Sequence, residues 1–349
     1  MALADFHRIN QFSDAASEAR ACRSACALFD FSFLECAQIR GGAARRVVES
    51  FAGRSLADLP VGKICYALRV DESGFALADL TIWRTEAETF EVMSGRDEDI
   101  TELLNYAANS VAVTKVSDRA TFAVQGPIAL EALSRVGRVD ALGALPYFGF
   151  TDAALDGIPC RIGRLGYTGE AGFEIICPKD PADRLWRTLV GCAQPAGFIA
   201  LDMLRIEAGF VLFSNEFRLP VTPDEAGLGR FYQDKPLRPP TLELVSFVAD
   251  VGRLTWPWQP VAPLSRPSRP EEIAVTSACN SVVAGGILGL GYVFAGRRPG
   301  ALLHDPSGIF RNVRQTPLPY YDTAKRRPRL AWRYGSDLDV GSRSAKPAS

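Results

Sequence analysis

The segment Gly166-Tyr-Thr-Gly-Glu-Ala-Gly-Phe-Glu174 crowds three glycines, two aromatics and two carboxylates into nine residues. Glycine at such density lets the backbone turn sharply or approach a ligand closely. Residues Phe173 to Cys177 then follow the two-residue period of a strand, with Phe173, Ile175 and Cys177 on one face and Glu174 beside Ile176 on the other. A carboxylate among apolar strand residues is costly to bury without a donor. An arginine of the chain or a hydrogen-bonding ligand would each satisfy it, and the local sequence leaves both open. A second motif, Leu204-Arg-Ile-Glu-Ala-Gly209, reads as a helix whose Arg205 and Glu207 can pair with neighbours.

The chemistry available is narrow. The chain has 349 residues and only two histidines, His7 and His304, which argues against histidine-rich zinc sites and against Ser-His-Asp or Cys-His catalysis. The eight cysteines form no CxxC pair and read as reduced, mostly buried small hydrophobes. There is no Walker loop, and Gly285-Gly-Ile-Leu-Gly-Leu-Gly291 lacks GxGxxG spacing and reads as a closely packed strand. A net charge of −1 gives no field for nucleic acid or anionic membrane. No apolar run has spanning length and no signal-peptide pattern opens the chain, so a cytoplasmic protein is expected. What remains is carboxylates, tyrosines and the reactivity of a cofactor.

Strands predicted at Ile64–Arg69, Phe75–Arg84 and Thr89–Met93 form a meander, and helices are predicted at 13–27, 43–51, 97–108, 128–136 and 181–192. Such mixing indicates α+β architecture with antiparallel sheets. After Lys235 prolines interrupt short apolar strands, which fits a small antiparallel barrel. Lys325-Arg-Arg-Pro-Arg329 reads as part of a solvated tail, and 338–349 as disordered. On the strand after Ser73, Asp79 shares a face with Phe75, Leu77, Thr81 and Trp83. Desolvation there would raise its pKa, which suits a group that handles a proton or orients a ligand nitrogen. Tyr66 and Tyr167 can be ligand contacts or core aromatics with their hydroxyls at the edge.

Six segments, in order, resemble the glycine cleavage T-protein family of tetrahydrofolate-dependent aminomethyltransferases: 73–80 (SGFALADL), 123–127 (AVQGP), 166–170 (GYTGE), 204–209 (LRIEAG), 222–228 (TPDEAGL), and 273–277 (IAVTS) with 290–293 (LGYV). The resemblance implies a three-lobed α+β folate-binding fold with a C-terminal small β-barrel. It divides the chain into a two-lobed folate-binding region (1–240), a barrel (241–323) and a basic, polar, disordered tail (324–349). It implies tetrahydrofolate as cofactor, Asp79 as the catalytic carboxylate and Glu174 as the pterin holder. Tyr66, Tyr167 and Tyr320 would line the ligand, Tyr320 by reaching back from the C-terminal region. The first acidic position of the 73–80 motif is Ala78, and Leu201 stands where the family has a folate-holding arginine. Another cation, Arg205 or Arg164, would then take over that contact, with weaker folate binding and a donor other than lipoyl-bound aminomethyl.

The expected activity is transfer of a methyl or aminomethyl-derived carbon from a small N-, S- or O-linked donor to tetrahydrofolate. A carrier or partner subunit is conceivable, and neither nucleic acid nor membrane is expected. The alternative is a folate-binding accessory protein or partner subunit without turnover, like the iron–sulfur maintenance branch. Residues 229–235 (GRFYQDK) lack that branch's motif cysteine, which counts against it. A pseudoenzyme is the third reading, favoured by Leu201 and Ala78 and opposed by Asp79 and Glu174.

Overall fold

The computed structural model describes residues 9–107, 111–233, 239–250, 254, 258–260 and 264–332. His7 and the stretch 338–349 lie outside the described residues. Three sheets, almost wholly antiparallel, organise the chain. The first is a five-stranded sheet in the spatial order Lys63–Val70, Ala76–Glu86, Thr89–Ser94, Glu35–Arg40, Ala112–Val116. Its strands alternate as expected: Ala67, Leu80, Ile82 and Val92 go under the helices Ala44–Ala52 and Asp97–Ala107. Trp83, with Ile64 and Met93, packs on the opposite face with Leu165 and Ile176 of the second sheet's region.

The second sheet has six strands, in the order Gln194–Pro195, Ala27–Asp30, Arg119–Gln125, Gly172–Pro178, Ile158–Gly163, Phe150–Leu155. Phe173, Ile175 and Cys177 point into a core closed by Leu130, Leu133, Leu185 and Leu189 from the helices Ala129–Ser134 and Ala182–Val190. Ile176 points toward the first sheet, so the alternation read from residues 173–177 is the one the fold uses.

The third sheet has the order Ala274–Ser281, Gly286–Phe294, Leu242–Asp250, Arg311–Thr316, Leu302–Leu303. Its two ends meet: Ile273 N–H donates to the His304 carbonyl and His304 N–H to that of Glu271. The sheet thereby curls into a small barrel. Helix Phe198–Glu207 is buried all round from Ile199 onward because it sits between helix Ala15–Ser24, the second sheet and the barrel.

Polar motif residues join these units. Glu225 and Thr222 cap one another in the S/T-x-x-E manner, and Glu225 also accepts from the Thr241 and Leu242 N–H groups at the barrel's entry and from Arg266. All eight cysteines are free thiols. No helix among the described residues is long and apolar enough to cross a membrane. The tail departs from expectation over 324–332. That stretch is anchored at points along an otherwise exposed run: Pro328 is buried and Trp332 stacks on Phe173 at 5.2 Å between ring centroids, while Arg326, Arg327, Arg329 and Leu330 stay exposed. Apolar residues within the basic run give it something to bury.

Candidate functional site

A cavity of about 840 Å³ opens where the first two sheets meet the segments 208–211, 227–233 and 319–329. Its walls are aromatic, with Tyr66, Tyr147, Phe148, Tyr167, Phe210 and Phe231. Phe148 holds a left-handed backbone (φ 61°) that costs energy for a bulky side chain. It is locked there because Ile64 N–H donates to its carbonyl and its own N–H donates to Arg164 O, tying the two sheets together.

Asp79 lines this cavity from the first sheet. Strand pairing sets Leu68 opposite Asp79 and Tyr66 opposite Thr81, so Tyr66 is a diagonal neighbour on the same face. Burial pushes the Asp79 carboxyl up to about 6, against the lowering effect of backbone and Tyr66 hydrogen bonds. The Tyr66 phenol is held well above its ordinary value, first by burial and then by Asp79. Tyr167 also lines the cavity, donates its hydroxyl to the Val211 carbonyl and stacks on Phe210 at 5.8 Å.

Glu174 is buried, at 7% exposure, and among the described residues no hydrogen bond or ion pair reaches its carboxylate. Burial alone raises it from 4.5 to about 8. It does not itself line the cavity, but its charge acts on Tyr147, which does. Its cross-strand partners are Gly163 and Ala123, neither of which can supply a donor side chain.

Three expectations are corrected. Arg205 is not a cavity residue. It is fully buried, and its donors go to Asp202, Glu216, Ser277 and the Phe210 carbonyl. Tyr320 packs against the junction core, and its neighbour Tyr321 faces the cavity instead. Leu201 is 3% exposed within the same core, so no cation is missing from the cavity at that position. Arg164 is likewise committed, to the carbonyls of Leu145, Pro328 and Leu330.

Arg23 was not singled out by the sequence. From the end of helix Ala15–Ser24 it donates to Glu207 (2.7 Å), Glu170 (3.2 Å) and the Thr168 carbonyl (2.8 Å), with its guanidinium 3.8 Å from the Tyr321 ring centroid. Tyr321 in turn donates to Glu170. The two glutamates of the 166–170 and 204–209 motifs therefore serve as a structural clamp. No local pattern marks a partner 147 and 184 residues away. Gly169, at φ +79° with its missing Cβ 2.7 Å from Ala208 Cβ, lets these two motifs touch. The cavity's cations, Arg54, Arg230, Lys325 and Arg329, also lie outside the sequence-read candidates.

The family model of the GCVT N-terminal domain matches residues 1–235. The chain belongs to that family. An aminomethyltransferase of Clostridium botulinum (strain 657 / Type Ba4) is 34% identical over 236 residues, which is 64% of this chain and 64% of that protein. One from Chlorobaculum parvum is 33% identical over 229 residues, 62% of this chain and 63% of its own length. The matches thus span less than two thirds of these relatives. The crystal structure of the glycine cleavage system aminomethyltransferase T from Bartonella henselae superposes with a TM-score of 0.69 at 24% identity, covering 88% of this chain and 90% of the other. The GCVT fold therefore continues past residue 235, where the family model ends.

Proposed function

We propose that this protein transfers a one-carbon unit, methyl or aminomethyl-derived, from a small N-, S- or O-linked donor to tetrahydrofolate. The observation that carries the reading is the Glu174 carboxyl, buried behind an aromatic cavity with no hydrogen-bond donor among the described residues. A pterin presents a row of N–H donors and a flat ring, which complements such a carboxyl and such walls. Membership of the GCVT family, and the aminomethyltransferases similar to residues within it, support the same reading.

The residues present fit the folate. Glu174 would hold the pterin edge, with Tyr147, Tyr167 and Phe210 as flanking aromatics. When bound, tetrahydrofolate supplies the nucleophilic nitrogen that accepts the carbon unit. Asp79 does the protein's part of the charge work. With its pKa near 6 it is mostly ionised at neutral pH, and it can take a proton from an amine or face a developing positive charge. Tyr66, its diagonal neighbour on the same face, stands where its phenol can orient that carboxylate. The aromatic walls restrict water around both.

The test is calorimetric titration with tetrahydrofolate, then mass detection of one-carbon folate products with candidate donors. Asp79→Asn should lower turnover on the order of 100-fold or more while shifting folate affinity far less, because it removes charge and keeps size. Unchanged turnover would remove Asp79 from the mechanism. Folate binding without product from any donor would favour an accessory role, and absence of binding would sink the folate reading altogether.

A further inference from the structure

The AVQGP segment (123–127) sends no side chain into the cavity, yet its Gln125 is fully buried. From the end of strand Arg119–Gln125 the amide reaches three points of the segment 165–173. Its Nε2 donates to the carbonyls of Leu165 (3.0 Å) and Phe173 (3.4 Å), and its Oε1 accepts from the Thr168 hydroxyl (3.0 Å). The two ends of the amide cannot exchange, because the carbonyls can only accept and so require the NH2 group. Thr168 is also fully buried and extends the contact, its Oγ1 accepting from the Glu170 N–H at 3.2 Å.

Two glycines of the same segment are shaped by this side chain. A Cβ on Gly166 would stand 1.9 Å from Gln125 Oε1, and one on Gly172 would stand 2.6 Å from its Cδ and Nε2. Neither glycine has a positive φ, so lack of space, and not backbone conformation, excludes a side chain there. Strand Ile158–Gly163 ends before this stretch and strand Gly172–Pro178 begins at its far end, so residues 164–171 have no ladder to fix their path. The chain is wrapped around one amide instead. The three held points bracket the ligand-facing residues: Tyr167 lies between Leu165 and Thr168, and Glu174 follows Phe173 directly.

We propose that Gln125 is a positioning residue of the ligand site, its single amide setting the path by which 165–173 presents Tyr167 to the cavity and Glu174 behind it. This rests on the folate reading above, in which Tyr167 flanks the pterin and Glu174 holds its edge. Asp79 stands on the first sheet, whereas the bonds of Gln125 all go to the glycine-rich segment joined to the second. The role of Gln125 is therefore in holding the ligand and not in the chemical step.

The experiment measures tetrahydrofolate affinity by calorimetry, beside the melting temperature, for Gln125→Met, Thr168→Val, Thr168→Ser and Leu189→Ala. Gln125→Met keeps the length of the side chain and breaks all three bonds, and it should weaken folate binding about tenfold or more. Thr168→Val keeps the shape without the hydroxyl and should weaken binding about threefold or more, while Thr168→Ser restores the hydroxyl and should bind as the parent does. Leu189→Ala opens the same core from helix Ala182–Val190 and controls for lost stability: its melting temperature should fall with affinity kept within about twofold. Unchanged affinity in Gln125→Met, or an equal loss in Leu189→Ala, would overturn the proposal. If Gln125→Met does not fold, the Thr168 pair decides, and parent-like binding by Thr168→Val overturns it. If tetrahydrofolate does not bind the unmodified protein, the folate reading fails and the placement of Glu174 is read without ligand, by carbon-13 titration of its carboxyl assigned through Glu174→Gln. Burial sets that titration near 8 in the parent. Thr168→Val should lower it as the loosened segment lets water in, and a midpoint that does not fall overturns the positioning role.

Discussion

Glu174→Gln separates a ligand-seeking carboxyl from a structural one. Glutamine keeps the volume and removes the titration. In the free protein burial lifts Glu174 from 4.5 to about 8 with no offsetting partner. Between those values the folded state holds a proton that the unfolded chain releases. The stability this group contributes is therefore fully present below pH 4.5 and is lost as pH rises through about 8. Each pH unit in that window costs about 1.4 kcal/mol, for about 5 kcal/mol in all, of which about 4 falls between pH 5 and pH 9. Urea unfolding of both proteins without ligand, at pH 5, 7 and 9, should show the variant gaining about 4 kcal/mol over the parent across that range. A gap constant within about 1 kcal/mol, or one that closes with rising pH, would mean that a cation already pairs with Glu174, and the argument from an unpartnered carboxyl would fail. The ligand adds a second sign. Donors from a pterin stabilise the ionised form, so binding at pH 7 should release close to one proton, roughly the fraction bound at a pKa near 8. Calorimetry in buffers of different ionisation enthalpy reads that number, and the variant should release none.

Two further outcomes follow from the packing. Arg23→Ala leaves Glu170 and Glu207 buried without their shared cation and should cost about 3–5 kcal/mol, read by urea unfolding. Arg23→Lys should recover only part, since an ammonium cannot fork between the two carboxylates. Leu201→Arg places an unpaired guanidinium in an apolar core and should lower the melting temperature by the equivalent of several kcal/mol, on the scale of an uncompensated buried charge, with no gain in folate affinity. Tighter folate binding by that variant would return the position to the ligand.

Periodicity made the sheets legible. Residues 173–177 and 75–84 each alternate so regularly that a one-residue slip would expose a whole apolar set, and the faces read from them are those in the fold. Proline spacing marked a change of texture after Lys235, and the third sheet's strand Leu242–Asp250 follows it. What failed was partnering. Arg205 carries a charge that looks available in sequence, but Asp202, Glu216 and Ser277 surround it, and Ser277 lies 72 residues away. Tyr320 and Tyr321 differ by one position, and only the turn after the barrel decides which faces the cavity. The basic run 325–329 was read by its charge. Pro328, which is buried, and Trp332, which stacks on Phe173, were the signal that a freely solvated tail does not need.

The anchoring of residues 321–332 also bears on the order of assembly. Glu170, Phe173 and Arg164 find their partners at Tyr321, Trp332 and Leu330, more than 150 residues later in each case. The first two sheets draw on strands no later than residue 195, so they can form during synthesis while those partners have yet to leave the ribosome. In that interval the aromatic pocket lacks one wall and its cationic rim, and Glu170 lacks the Tyr321 hydroxyl. A nascent chain of this protein can thus complete its first two sheets before its cavity has all of its walls.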